Sequence, residues 1–286
     1  MRPYRTALFD NSRWAEFEPR PGDVFVCTPP KCGTTWTQTI IANLFWPDGN
    51  LPGPVMQISP WIEALFLPAD AVHAMLRAQD FRRVMKSHTP ADGIPWFPDA
   101  KYVFVARDGR DAFMSLVNHM DRMKFTEMLN QQARSDGIEP MPVPEGDLHG
   151  YFARWLQADG VFFETVASYW AMRLDKRLLP VHFNDLKRDL DGEMRRIARH
   201  LEISIPESRW PALVERCTFE SMRENEAMVG DLSFAFEGGT KGFLFKGTNG
   251  RWRELLSEDE LAAYRHRVEA VLPAEAAIWL ERGRLG

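Results

Sequence analysis

Cysteine is scarce. Cys27, Cys32 and Cys217 are the only three in 286 residues. Three cannot build a disulfide framework, and their spacing matches no zinc site. A reducing compartment, and hence a cytoplasmic location, is the expectation. A basic excess is also missing: 35 Lys and Arg stand against 40 Asp and Glu, for a net charge of −5. A general nucleic-acid binder carries a basic face. No nucleic-acid partner is therefore expected, and any bound anion must be held by a local cluster of cations. Long hydrophobic runs are missing too. The longest, Ile40–Trp46, falls far short of the roughly 20 residues of a spanning helix. The first ten residues hold a three-residue apolar run, where a signal peptide needs about 7–15. Neither a membrane span nor an export leader is expected. No internal repeat or low-complexity tract stands out.

What is present is an ordinary globular composition, 45% hydrophobic and 26% charged. It argues against disorder, collagen and coiled coil. No linker divides the chain, so one domain over residues 1–286 is expected. Four short runs rich in β-branched and aromatic residues read as buried strands: Asp23–Thr28, Arg82–Lys86, Lys101–Ala106 and Leu178–Phe183. Helical spacing marks Thr34–Phe45, Asp111–Met120, Leu186–Leu201 and Ser257–Val271, and two helices in Tyr151–Leu174 with a break near Asp159-Gly160. Asp121–Gly150 and Asn225–Gly250 read as loops of a length that is often functional. Strands alternating with helices imply an α/β fold with a mostly parallel sheet.

In such sheets ligands bind beyond the carboxyl ends of the strands. The first strand is followed by Pro29-Pro-Lys-Cys-Gly-Thr-Thr-Trp36, the second by Lys86-Ser-His-Thr-Pro90, the third by Arg107-Asp-Gly-Arg-Asp111 and the fourth by Asn184-Asp185. Two lysines, a histidine and two arginines thus gather on one face. This is the local cluster that an acidic chain needs. The first segment is a strand, a glycine turn and a helix opening on Thr34 and Thr35. Free amides and the positive end of the helix dipole favour a phosphate there. Lys31 adds a mobile charge, and Gly33 lets the backbone approach closely. The lysine precedes the glycine, so the order is not that of a Walker A loop. Singly, each residue has an ordinary reading: a structural histidine, a solvated lysine, an ion-paired arginine. The agreement of four strand ends favours a site.

These residues resemble those of the cytosolic-type sulfotransferases, which use 3′-phosphoadenosine 5′-phosphosulfate (PAPS). Thr28-Pro-Pro-Lys-Cys-Gly-Thr-Thr-Trp36 resembles the family's 5′-phosphosulfate loop, T-Y-P-K-S-G-T-T-W. Lys86-Ser-His-Thr-Pro90 resembles its K-T-H-L-P, and Arg107 with Ser115 its R-x₇-S. Phe245-Lys-Gly-Thr-Asn-Gly-Arg-Trp252 resembles its late R-K-G-x-x-G-x-W. The resemblance implies a P-loop-like three-layer αβα fold and sulfuryl transfer from PAPS to a hydroxyl or amine, leaving 3′-phosphoadenosine 5′-phosphate (PAP). It implies that Lys31 and the amides of Cys32, Gly33, Thr34 and Thr35 hold the 5′-phosphosulfate. Arg107, Ser115, Lys246 and Gly247 then hold the 3′-phosphate, Trp36 and Phe219 face the adenine, and His88, Lys31 and Lys86 are catalytic. His88 is the implied general base, and no metal is implied.

Three departures stand out. Asn184 occupies the place of a family tyrosine near the adenine, and Phe245 that of the late arginine, for which Arg110, Arg251 or Arg253 could substitute. The family's C-terminal dimer motif is not recognisable in Arg253–Ser257, which leaves the oligomeric state open. The late segment is closer to bacterial than to animal members, which implies a glycolipid or other amphiphilic acceptor. Trp61–Phe66, Ile94–Phe97, Met120–Leu129 and Tyr151–Trp155 are the apolar segments available to line its pocket, although core packing is the ordinary fate of such residues. Two other readings stay open: a P-loop nucleotide kinase or NTPase using Asp108 or Asp185 to hold magnesium, and a non-catalytic PAP-binding protein.

Overall fold

Four short strands form one all-parallel sheet in the order β2-β1-β3-β4. They are β1 (Val24–Cys27), β2 (Val84–Ser87), β3 (Lys101–Ala106) and β4 (Leu178–His182). The structure, a computed structural model, describes residues 1–158 and 162–284. The longer helices are α1 (Thr34–Phe45), α2 (Ala69–Ala78), α3 (Gly109–Arg122), α4 (Thr126–Ser135), α5 (Leu148–Gln157), α6 (Phe163–Ala171), α7 (Leu190–His200), α8 (Glu258–Val271) and α9 (Ala274–Arg282). No helix of the described residues is long and apolar enough to cross a membrane.

Both faces of the sheet are covered, which is why its strands read as unbroken apolar runs. Side chains alternate between two cores. Phe25, Tyr102 and Phe104 point into one with Trp14, Phe113, Tyr151 and Tyr169. Val24, Val26, Val103 and Val105 point into the other with Ile40, Ile41 and Leu44 of α1 and Met194 and Ile197 of α7. The result is the three-layer αβα arrangement expected from the sequence.

The strand and main helix expectations hold to within a few residues. The expected Leu186–Leu201 helix is two: Phe183–Arg188, then α7, capped anew by Asp189. Helices α5 and α6 occupy the expected pair, and their break at Asp159-Gly160 lies outside the described residues. The two expected loops are corrected. Asp121–Gly150 contains α4, held by burial of Leu129, Asn130 and Ala133. Asn225–Gly250 contains short turns of helix, Glu226–Val229 and Gly239–Phe243. The C-terminal α9 returns to the end of β4: the Leu280 carbonyl lies 2.9 Å from His182 Nε2, and the Arg284 amide donates to Asp185 at 2.8 Å.

The chain leaves β1 for β2 on one side and then crosses to β3 on the other. Such a reversal opens a crevice at the carboxyl ends of the strands. In register, Cys27 lies opposite both Ser87 and Phe104. Residues 28–36, 86–90 and 107–111 therefore emerge side by side.

Candidate active site

The β1–β2 ladder runs one step past the strands, with the Thr28 amide donating to the Ser87 carbonyl at 3.1 Å. That step brings His88 onto Thr28. Its Nδ1 lies 2.7 Å from the Thr28 carbonyl, which can only accept, so Nδ1 carries the proton. Nε2 is left with its lone pair. The Trp61 ring meets the imidazole edge-on at 4.7 Å. Burial, reinforced by Lys86 and Lys31, pushes His88 down to about 3. The imidazole is neutral across the physiological range.

The two lysines sit in the same charged neighbourhood. Burial pushes Lys31 down to about 7, with Lys86 and Arg107 adding to the effect. Burial pushes Lys86 down to about 8, against the pull of Glu63. Lys86 Nζ lies over the Trp61 ring at 4.9 Å. Lys31 has φ 69, a left-handed backbone that turns the loop toward α1. Gly33 follows at φ 104 and caps α1. A Cβ on Gly33 would stand 2.9 Å from the Phe183 ring, so only glycine fits this turn. The first amides of a helix have no intrahelical acceptor, and those of Thr34 and Thr35 open α1 at this point. Thr34 Oγ1 is 2.6 Å from Thr28 Oγ1, tying the helix start to the end of β1. Cys32 is fully buried, and burial holds its thiol at about 12, so only its backbone is available for chemistry.

The third group forms around Arg107. Its guanidinium donates to the Thr248 carbonyl at 2.9 Å and to Asn249 Oδ1 at 2.7 Å, and lies over Phe183 at 4.2 Å. The Asn249 amide in turn donates to Asn184 Oδ1 at 2.6 Å. Asn184, standing where the family has tyrosine, thus anchors the late segment. On α3, Asp111 accepts from the Gly250 amide at 2.6 Å, and Ser115 lies one turn further along the same face. Gly247 has φ 60, and a Cβ there would stand 2.8 Å from the Phe219 ring. Phe219 lies 6.3 Å from Trp36, whose Nε1 donates to the Cys217 carbonyl at 2.7 Å. Lys246 is exposed at the rim, 5.3 Å over Phe245. Of the three possible substitutes for the late arginine, Arg251 lies 5.6 Å over Phe245 and acts electrostatically on Arg107. Arg110 is held by Asp108 and Glu281, and Arg253 stacks on Trp252.

Four contributors escaped the sequence reading. Glu63 is fully buried and accepts from Trp14 at 2.8 Å, Trp61 at 2.6 Å and Ser87 at 2.5 Å. It thereby fixes the indole against which His88 and Lys86 rest. His119 of α3 meets Lys31 Nζ at 3.0 Å. Lys187 donates to the Gly247 carbonyl at 2.8 Å, and Asn249 bridges Arg107 to Asn184. Only His119 had a usable signal, since it stands four residues after Ser115 on the same helical face. Of the apolar segments, Trp61–Phe66 lies beside His88, and Phe125 lies 6.3 Å from Phe66. Ile94, Tyr151, Phe152 and Trp155 belong to the core.

A parallel αβα fold that gathers two lysines, an arginine and a neutral imidazole near one helix N-terminus is suited to an anionic ligand. The sulfotransferase domain model matches residues 21–273. The chain belongs to the sulfotransferase domain family and is an enzyme of sulfuryl transfer. It is 29% identical over 315 residues to a glycolipid sulfotransferase of Mycobacterium tuberculosis, covering 99% of this chain and 95% of that one. It is 29% identical over 255 residues to sulfotransferase 1B1 of Mus musculus, covering 84% and 79%. Among solved structures, a mouse sulfotransferase complexed with PAP superposes with a TM-score of 0.74 at 17% identity, covering 94% of this chain and 90% of that one.

Proposed function

We propose that the chain, working as one domain, transfers the sulfuryl group of PAPS to a hydroxyl of an amphiphilic acceptor of the glycolipid class, releasing PAP. The observation that carries this is the neutral His88, its Nε2 lone pair bare, beside two ammonium groups at the start of α1. The residues fit the donor. Lys31, the amides of residues 32–35 and the hydroxyls of Thr34 and Thr35 suit a 5′-phosphosulfate. Arg107, Ser115, Lys246, Gly247 and, in place of the missing arginine, Arg251 suit a 3′-phosphate. Trp36 and Phe219, which meet edge-on at 6.3 Å, offer aromatic surface for an adenine ring to pack on.

His88 Nε2 takes the proton of the acceptor hydroxyl as its oxygen attacks sulfur. The bond from sulfur to the bridging phosphate oxygen breaks, and Lys31 and Lys86 stabilise the charge that develops there. The products are a sulfate ester and PAP, with the proton left on His88. The acceptor side is apolar. Trp61, Phe66 and Phe125 run outward from His88 in successive ring contacts of 4.7, 5.8 and 6.3 Å. Phe66, within this run, is 43% exposed. Such a run suits a headgroup at His88 with a lipid tail leaving the site. The magnesium-kinase reading has no comparable support, since both Asp108 oxygens accept from Arg110 and Asp185 accepts from the Arg284 amide.

The test is transfer from labelled PAPS to glycolipids and to short-chain phenols, with PAP binding followed by calorimetry. His88→Ala is expected to lose transfer by a factor of about 10²–10⁴, the usual range for a general base, while still binding PAP. Lys31→Ala is expected to weaken both. Full activity of folded His88→Ala protein would overturn the base assignment. Magnesium-dependent ATP turnover without any response to PAPS would overturn the donor.

A further inference from the structure

Lys31 carries a flexible four-carbon stem, so its ammonium needs a fixed seat before it can act on one bond. Among the described residues no carboxylate supplies one. The Nζ atom lies 3.0 Å from His119 Nδ1 and 4.7 Å over the Phe243 ring. The His119 ring is itself held between Phe236 at 4.7 Å and Phe243 at 5.7 Å. We propose that His119 is a positioning residue for sulfuryl transfer, its Nδ1 lone pair seating the Lys31 ammonium without cancelling its charge.

The choice of residue has a physical reason. A carboxylate in this place would hold the ammonium but neutralise it, weakening its attraction for an anionic donor. A neutral imidazole accepts the same hydrogen bond and leaves the full positive charge to the ligand. The groups facing His119 keep it neutral. They are Lys31 from the loop after β1 and Lys86 and His88 from the end of β2, which add to burial in pushing it well below 6.5. With Nδ1 accepting, the ring proton sits on Nε2. The aromatic faces of Phe236 and Phe243 fix the plane of the ring and complete the seat.

The inference rests on Lys31 contacting the donor, and the test separates the two claims. His119→Phe keeps a ring against Phe236 and Phe243 but removes the acceptor. His119→Asn restores an acceptor near the position of Nδ1. Both are measured for PAP affinity by calorimetry from pH 6 to 9 and for transfer from PAPS over the same range. Loss of the lone pair disfavours the ammonium form of Lys31. In His119→Phe the alkaline fall of PAP affinity and of kcat/KM is therefore expected to move to lower pH. At pH 8 the affinity is expected to drop about tenfold, the usual worth of a hydrogen bond to a charged group. At pH 6 it is expected to be nearly unchanged. His119→Asn is expected to return the profile toward that of the parent. In a Lys31→Met background, His119→Phe is expected to add nothing. An unmoved profile in folded His119→Phe protein, or an equal loss in the Lys31→Met background, would overturn the assignment. Unchanged PAP affinity in Lys31→Met alone would instead overturn the role of Lys31.

Discussion

At the scale of single residues, the site depends on groups held away from their ordinary ionisation. An exposed histidine loses its basic form below about pH 6.5, whereas burial and two lysines push His88 down to about 3. The acid side of a kcat/KM profile for the donor is therefore expected to stay flat through pH 6 and 5. The alkaline side has the opposite sign. Lys31 and Lys86, pushed down to about 7 and 8, lose charge as pH rises, and kcat/KM is expected to fall across that window. A profile that instead rises through pH 6.5 to a plateau beyond pH 8 would contradict both assignments. His88, Lys31, Lys86 and Arg107 were legible because each follows directly on a strand. Glu63 was not, and His119 showed only its helical spacing from Ser115, not its partner. His119 meets Lys31 across 88 residues, and Glu63 lies within an apolar segment whose fold is needed to bring Trp14, Trp61 and Ser87 onto it.

At the scale of elements, the strands were readable because burial on both faces demands unbroken apolar runs. Helix α4 was not, because it is polar on most of its surface and is held partly by Asn130, which exchanges two hydrogen bonds with Met141. The N-terminal ends of β1 and β2 are joined by a different device. Arg83 donates to Asp23 at 2.8 and 2.6 Å, and both side chains are almost fully buried. Removing one member of such a pair leaves a buried charge alone. Arg83→Leu is expected to destabilise the fold by about 3–5 kcal/mol, read as a lowered urea midpoint with unchanged slope. Unchanged stability in Arg83→Leu would show that water reaches Asp23.

At the scale of the whole molecule, an acidic chain concentrates cations at one end of its sheet, and that arrangement weakens the free fold. Lys31 and Lys86 have folded-state values below their unfolded 10.5. Their burden is complete below about pH 7 and is relieved as pH rises toward 10.5, because the unfolded chain then holds more protons. At pH 6.5, Lys31→Met is expected to raise the Tm of the free protein by roughly 2–4 °C, the shift made by about 1 kcal/mol in a chain of this size. PAP is expected to raise the Tm of the parent more than that of the variant. A lowered Tm in the free variant would show that the lysine stabilises the fold through its stem.

The grip of Arg107 on Thr248 and Asn249 makes the late segment a resident competitor for the proposed 3′-phosphate subsite. A ligand that claims the guanidinium must first displace a backbone carbonyl and a side-chain amide, both neutral acceptors. A dianionic 3′-phosphate does so with a net gain, because it adds cation–anion attraction and a bidentate fit that neutral acceptors cannot supply. A 3′-hydroxyl has no such advantage and exchanges one neutral partner for another. On the proposed assignment of Arg107 to the 3′-phosphate, the segment is an internal standard against which nucleotides are compared, set against those that lack a 3′-phosphate.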